Sequence, residues 1–262
     1  MAAAVSGRVR VAPRGTERVD IWWLEPLITV LVLGTFVLYT TWAMVFGTTV
    51  NGHFAYYADP YLSPFYSPCV ATNCPQDTFP VISWAFSPAW LIFYFPLAFR
   101  LTCYYYRKAY YRSFFWAPPA CAVPDAAKRY NGETRFPFII QNIHRYAFYG
   151  ALIPLFFLWW DMVKGFMYHG HLWIGVGSFV LLINVILLSL YSFSCHSCRH
   201  LVGGYLDMLS RHAMRYKIWK FVSKINEHHM LIAWCSLVFV MWSDIYVRLV
   251  AAGITHDFHV VF

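Results

Sequence analysis

The sequence predicts an all-α fold, a polytopic membrane bundle of five transmembrane helices that forms one domain over residues 1–262. The 262 residues are 60% hydrophobic and only 12% charged, which leaves too little polar surface to cover a water-soluble globule. Five apolar stretches approach the length of about 20 residues that a helix needs to cross a hydrocarbon core of ~30 Å. Basic residues are concentrated in the segments between these stretches, as is typical of multi-pass membrane proteins.

The predicted spans and connections alternate along the chain. The spans cover residues 22–46, 87–105, 136–160, 172–194 and 230–252. We expect a cytoplasmic N-terminal arm at 1–21, an outer loop at 47–83 and cytoplasmic connections at 106–135 and 195–229. The arm contains four Arg and no apolar core, so it does not resemble a cleaved signal peptide.

The distribution of charge predicts the orientation. All of the 20 Lys and Arg except Lys164 and Arg248 fall in the N-terminal arm, in the cytoplasmic connections or at their borders. By the positive-inside rule, the N-terminus is cytoplasmic and the C-terminus lies outside. The same sorting explains the net charge of +8, so no nucleic-acid partner is expected.

The predicted outer loop contains two cysteines, Cys69 and Cys74. This loop would face an oxidising compartment, where closely spaced cysteines commonly form disulfides. We therefore expect a short disulfide between them.

The end of the fourth span carries the first candidate site. Cys195, His196, Cys198 and His200 lie within six residues, and thiols with imidazoles are the ligands of zinc and iron–sulfur centres. On a continuing helix the two cysteines, three residues apart, would share a side, and the pair Gly203-Gly204 would end that helix.

The predicted topology brings further donors to the same end of the bundle. The second span ends near Cys103, the third begins near His144, and the fifth begins near His228 and His229. Neighbouring residues of a helix point about 100° apart, so His228 and His229 are not expected to bind one iron together.

Several centres use such donors. A c-type haem requires His directly after Cys-x-x-Cys, but Arg199 follows Cys198. A structural zinc with two Cys and two His is compatible with the ligand types. A b-type haem between His144 and His229 would leave the cysteines unexplained. A Rieske-type 2Fe–2S cluster uses both kinds of ligand, although the usual Cys-x-His and Cys-x-x-His motifs are absent.

The segment Ser-Cys-His-Ser-Cys-Arg-His at 194–200, with His144, His229 and the five spans, resembles the membrane-anchor C subunit of actinobacterial succinate dehydrogenase 1, or type-F complex II. The resemblance implies a subunit of a succinate:quinone oxidoreductase of the respiratory chain and tricarboxylic acid cycle, in the bacterial plasma membrane. It also implies a flavoprotein (A) subunit and an iron–sulfur (B) subunit on the cytoplasmic face. The chain has no dinucleotide-binding glycine motif, so the partners would provide the succinate site.

The same resemblance implies a Rieske-type 2Fe–2S cluster and a quinone substrate in this anchor. We assign Cys195 and Cys198 to one iron and His144 and His229 to the other, and His196, His200 and His228 remain alternative ligands.

Arg145, Tyr146 and Tyr104 are the candidate quinone contacts, although residues of these types also occur at membrane interfaces without a ligand. Two alternatives stay open: a haem-b quinone anchor, and a non-enzymatic polytopic scaffold with a structural zinc.

Overall fold

The computed structural model describes residues 19–71, 89–126 and 132–262. Most of the N-terminal arm and much of the predicted outer loop lie outside these ranges. The predicted disulfide between Cys69 and Cys74 also falls on side chains outside the described part of the chain.

The described residues are mainly helical. Their α-helices are α1 (Leu24–Val45), α2 (Ala89–Thr102), α3 (Tyr104–Phe114), α4 (His144–Lys164), α5 (Val176–Phe193), α6 (His196–Gly203), α7 (Ala213–Asn226) and α8 (His229–Ala251). By length and composition, α1, α5, α8 and the segment Phe138–Lys164 that contains α4 can each cross a membrane. Four predicted spans are thus confirmed. The second corresponds to α2, which has 14 residues and contains Pro96.

The helices pack as an up-and-down bundle. α2 packs on α4, α4 on α5, and α5 on α8, while α1 packs against α3 and α8. One buried cluster, with Phe99, Tyr191 and Leu237, lies where α2 and α5 end and where α4 and α8 begin. We call this the site end, and the end with Lys164 and Ala251 the far end.

The far end contains short strands, so the all-α prediction is incomplete. Two hairpins, β1 (Thr49–Val50) with β2 (His53–Phe54) and β3 (Tyr57–Ala58) with β4 (Tyr61–Leu62), follow α1. A three-stranded sheet joins β5 (Met167–Tyr168), β6 (His171–Gly175) and β7 (His259–Val261).

The β1–β2 and β5–β6 connections each turn at an X-Gly pair in which both residues have positive φ. The angles are 49° and 79° at Asn51-Gly52 and 47° and 86° at His169-Gly170. Paired positive φ angles are typical of the tight turns that match strand twist.

Two helices that the sequence predicts as continuous are broken at a cysteine. The predicted second span is divided at Cys103, whose backbone is extended (φ −64°, ψ 131°), between α2 and α3. The prediction that one helix continues through Cys195 is also wrong, because the backbone of this residue is extended (φ −66°, ψ 147°) between α5 and α6. The predicted helix end at Gly203 is confirmed.

Candidate functional site

Each helix break brings its cysteine to an imidazole from another helix. The Nε2 atom of His144, at the start of α4, lies 3.0 Å from the Sγ atom of Cys195. The Nε2 atom of His229, at the start of α8, lies 3.5 Å from the Sγ atom of Cys103. We call these four residues the thiol–imidazole site.

The outer nitrogen of each imidazole is held by a hydroxyl group. Thr102 Oγ1 lies 2.8 Å from His144 Nδ1, and Ser194 Oγ lies 2.6 Å from His229 Nδ1. Each hydroxyl residue directly precedes a site cysteine in the sequence. The contacts are crossed: each imidazole takes its hydroxyl from one break and its thiol from the other.

The contacts of the two hydroxyl groups are compatible with one tautomer of each imidazole. Thr102 donates its hydroxyl hydrogen to the Ala98 carbonyl at 2.7 Å, and Ser194 donates to the Tyr191 carbonyl at 3.2 Å. With the hydroxyl hydrogens placed in this way, each hydroxyl oxygen can accept from Nδ1–H, and we assign the tautomer in which Nε2 keeps its lone pair toward sulfur. This is the tautomer that a metal ligand needs, and metal-binding histidines commonly have such an outer partner.

Aromatic rings enclose the site. Cys195 is 1% exposed, and Cys103 and His229 are each 2% exposed. The Phe99 ring stacks on His144 with centroids 4.9 Å apart and planes 5° apart. The Tyr191 ring stacks on His229 at 5.2 Å and 11°.

Both site cysteines are the N-cap residues of the following helices, α3 and α6. The positive end of a helix favours thiolate, which is the metal-binding form of cysteine. Burial raises the pKa of the Cys195 thiol, while the N–H of Ser197, which donates to its sulfur at 3.3 Å, acts in the opposite direction.

The structure brings together three of the four predicted ligands, Cys195, His144 and His229. Cys198 belongs to the same buried cluster, but within the described ranges the two imidazoles contact Cys103 and Cys195 instead. The alternatives His196, His200 and His228 are exposed.

Sequence reasoning placed Cys103 at this end but did not choose it as a ligand. The sequence signal that could have identified Cys103 is a shared pattern: a hydroxyl residue directly precedes the cysteine in both Thr102-Cys103 and Ser194-Cys195. In the described part of the chain, no group of three or more His, Cys, Asp or Glu side chains converges on a single ion position.

The three candidate quinone residues lie at the surface. Tyr146 is 74% exposed, Tyr104 is 54% exposed, and Arg145 is also exposed. The structure therefore brings none of them into an enclosed site with the thiols.

A cavity of about 100 Å³ lies beside the thiol–imidazole site. Arg100, Phe99 and Tyr191 line it at the site end. Its remaining walls are almost entirely apolar and include Phe36, Leu97, Pro154, Leu155, Leu158 and Leu188. The cavity is thus separated from the two imidazoles by the aromatic rings that stack on them.

Arg100 is a buried cation, with 8% of its surface exposed. It donates to the hydroxyls of Tyr106 and Ser236, and its guanidinium lies 4.8 Å from the centre of the Tyr191 ring. No carboxylate forms an ion pair with it among the described residues. In the sequence, Arg100 is only one of the basic residues that predict the orientation in the membrane.

A bundle of helices long and apolar enough to cross a membrane defines the class of polytopic membrane proteins, and here a set of thiols and imidazoles lies at one end of the bundle. The family of the actinobacterial succinate dehydrogenase subunit SdhC matches residues 24–253. The chain belongs to this family, and it is therefore a membrane subunit of succinate dehydrogenase, an oxidoreductase.

The fold is similar to that of a solved structure described as the Mycobacterium smegmatis Sdh1 complex in the apo form. The two chains are 44% identical, the match covers 99% of each, and the TM-score is 0.86. A search of curated proteins found no match.

Proposed function

We propose that this subunit binds a Rieske-type 2Fe–2S cluster at the thiol–imidazole site and passes electrons to a quinone in the adjacent cavity. The ligands are Cys103, Cys195, His144 and His229. The observation that carries the proposal is the crossed arrangement, in which the Nε2 atoms of half-buried His144 and buried His229 face the buried thiols of Cys195 and Cys103.

The donor set fits this group. Two thiols and two imidazoles are the ligands of a Rieske-type cluster, which supplies one-electron chemistry at a potential above that of an all-Cys cluster. A single tetrahedral zinc needs its donors to converge on one point, and no such group of three is found among the described side chains. A Rieske-type cluster would take the two thiols on one iron and the two imidazoles on the other, so its four donors need not meet at one point.

The position of Phe99 and Tyr191 between the thiol–imidazole site and the cavity supports electron transfer to a quinone there. Phe99 and Tyr191 each stack on a site imidazole and also line the cavity. A quinone ring at this end of the cavity therefore lies one side chain away from a ligand.

Arg100 and Tyr191 provide the polar contacts for the quinone. The buried Tyr191 hydroxyl has no hydrogen-bond partner in the described ranges, and Arg100 has donors left beyond Tyr106 and Ser236. A quinone carbonyl gains negative charge as it is reduced, and a fixed guanidinium in a low-dielectric site stabilises that charge. Arg145, Tyr146 and Tyr104 stay predictions for a contact at the surface.

The electrons come from partner subunits in this proposal. A flavoprotein (A) subunit oxidises succinate, and an iron–sulfur (B) subunit docks at the site end, on the side predicted to be cytoplasmic. The helices there are basic, since α3 contains Arg107, Lys108 and Arg112, and α7 contains Lys217, Lys220 and Lys224. Such a face favours a partner with an acidic surface.

The test is metal analysis with low-temperature electron paramagnetic resonance on the dithionite-reduced complex. We expect iron and a signal whose average g value lies below that of an all-Cys cluster. The signal should be lost in Cys103→Ser and in Cys195→Ser but retained in Cys198→Ser, the matched buried cysteine.

If the signal is retained in Cys103→Ser and lost in Cys198→Ser, the second cysteine ligand is Cys198, as the sequence predicted, and not Cys103. Zinc without iron would support the scaffold alternative. A strong Soret absorption would support the haem-b alternative with His144 and His229.

A further inference from the structure

A groove of about 300 Å³ opens at the site end between three helices, apart from the cavity beside the thiol–imidazole site. Each helix lines the groove with residues three or four positions apart, which lie on one face of that helix. They are Glu25, Ile28, Thr29 and Val32 of α1, Tyr105, Lys108, Ala109 and Arg112 of α3, and Met230 and Trp234 of α8. The two cavities share no lining residue.

The helix α3 closes one side of the groove because it connects the start of α8 with the start of α1. Near its beginning, the Tyr106 hydroxyl donates to the Ala233 carbonyl of α8 at 2.5 Å. Just beyond its end, the Trp116 ring meets the Trp22 ring edge-on, with centroids 6.3 Å apart. Both α1 and α8 are long and apolar enough to cross a membrane, and the groove lies beside their first turns.

The groove therefore lies at the level of the membrane surface. Tryptophan is enriched where hydrocarbon meets water, which suits the Trp22–Trp116 pair. On the deeper side, Val238 and Trp242 continue the face of Met230 and Trp234 at intervals of four residues along α8. Both are exposed apolar side chains. The surroundings thus change from polar to apolar along the groove, as they do along a phospholipid.

Lys108 and Arg112 bring two positive charges into the groove, one turn apart on α3. Lys108 is exposed and Arg112 is half-buried. Within residues 19–71, 89–126 and 132–262, neither side chain forms an ion pair or a hydrogen bond. Arg107 of the same helix is instead paired with Glu133 at 3.4 Å. The two cations of the groove are therefore available to an anion.

Glu25 is the acid of the groove. It lies in the first turn of α1, where the helix dipole favours a carboxylate, and it is exposed. It forms no ion pair with Lys108 or Arg112. Two cations and one carboxylate leave one net positive charge, which a phosphate diester balances. The carboxylate is then an acceptor for hydroxyl groups next to that phosphate.

We infer that this groove binds an anionic phospholipid of the phosphatidylglycerol class. Its phosphate contacts Lys108 and Arg112, its glycerol hydroxyls donate to Glu25, and its acyl chains follow the apolar face of α8. Guanidinium groups bind phosphate oxygens in a bidentate geometry. Basic pockets between spans bind anionic headgroups on the cytoplasmic side, and the site end is predicted to be on that side. The inference requires neither the cluster nor a quinone.

The test is native mass spectrometry of the delipidated whole complex, titrated with phosphatidylglycerol or with phosphatidylcholine of the same acyl chains. Phosphatidylglycerol should bind the wild type tightly and Lys108→Gln/Arg112→Gln at least about tenfold more weakly, the scale for losing a hydrogen bond to a charged group. Phosphatidylcholine should bind weakly to both proteins, because it lacks net negative charge and hydroxyl donors.

Arg135→Gln/Arg211→Gln is the matched control. Both arginines are exposed at the site end and lie outside the groove, so this variant removes the same charge elsewhere. It should bind phosphatidylglycerol as the wild type does. Equal weakening in the control and in Lys108→Gln/Arg112→Gln would mean general attraction to a basic surface and would overturn the inference.

A second variant tests the groove itself. Ala109→Phe retains both cations but fills space on the α3 wall, so it should also weaken phosphatidylglycerol binding. Wild-type binding in Ala109→Phe or in Lys108→Gln/Arg112→Gln would overturn the inference. Phosphatidylcholine binding as tight as that of phosphatidylglycerol would do the same.

The same spectra report the subunit composition, which separates a lipid from a protein occupant. Lys108 and Arg112 also belong to the basic site end on which a partner subunit is proposed to dock. The partner subunits should remain bound in Lys108→Gln/Arg112→Gln. Their loss from this variant, with no phosphatidylglycerol bound to the wild type, would show that a protein covers the groove and would overturn the inference.

Discussion

The imidazole of His144 contacts the thiol of Cys195 across 51 residues of sequence, with Nε2 and Sγ 3.0 Å apart. His229 and Cys103 repeat this relationship between the other two helices. Each half of the bundle therefore supplies one hydroxyl-cysteine pair at a helix break and one imidazole at a helix start. Neither half contains a complete site.

The hydroxyl groups beside the cysteines should control metal retention. We expect Thr102→Val and Ser194→Ala each to weaken binding about 10–100-fold, because an outer-shell partner fixes the tautomer and orientation of a ligating imidazole. Iron content after timed exposure to a chelator measures the effect.

Thr40→Val is the matched control for these two variants. Thr40 is also buried, but its hydroxyl bonds only to carbonyls of its own helix. Equal iron loss in this control would show that general destabilisation, and not the imidazole contact, is responsible.

The guanidinium of Arg100 should matter more than the exposed candidates for quinone reduction. We expect Arg100→Gln to lower succinate:quinone activity about 100-fold, the usual scale for removing one preorganised electrostatic contact. Activity with an artificial acceptor and the cluster signal should be retained. Arg145→Gln and Tyr104→Phe are the comparison variants, and a loss in them as large as in Arg100→Gln would place the quinone ring at the surface.

Removal of the metal should abolish quinone reduction without unfolding the bundle. The thiols and imidazoles contact one another directly, and the helices around them also pack through the buried cluster with Phe99, Tyr191 and Leu237. Circular dichroism of the iron-depleted complex should therefore retain the helical signal, while quinone-linked activity disappears. Loss of the helical signal together with the iron would mean that the centre is required for folding.

The ion pair at the far end should contribute to stability and not to electron transfer. Arg248 and Asp244 are buried, at 8% and 0% exposure, and removing one partner of a buried pair costs about 3–5 kcal/mol. We expect Arg248→Gln to lower the thermal midpoint of the detergent-solubilised complex, with Arg211→Gln, an exposed arginine, as the control. A loss of the cluster signal in folded Arg248→Gln protein would contradict this separation.

The sequence predicted much of the site because charge and span order place His144, Cys195 and His229 at one end. Cys103 was not selected because a single cysteine at a span end has no local motif. Its role depends on a helix break with no Pro or Gly at that position. The crossed contacts and the cavity arise from tertiary packing, which a period of apolar residues does not specify.

The far-end strands were missed for another reason. The outer loop contains the Asn51-Gly52 turn signal, but its strands have only two residues each, too short for an alternating pattern to emerge. The third strand of the other sheet, β7, pairs with a segment more than 80 residues earlier in the chain.

The crossed contacts also impose an order in time on the maturation of the protein. His229 begins the last helix of the bundle, and its partners Cys103 and Ser194 belong to helices that leave the ribosome earlier. The complete set of ligands therefore exists only after the final span has been inserted and packed. A chain stalled before α8 presents three of the four proposed ligands and lacks His229, so loading of the proposed cluster must follow the insertion of the whole subunit.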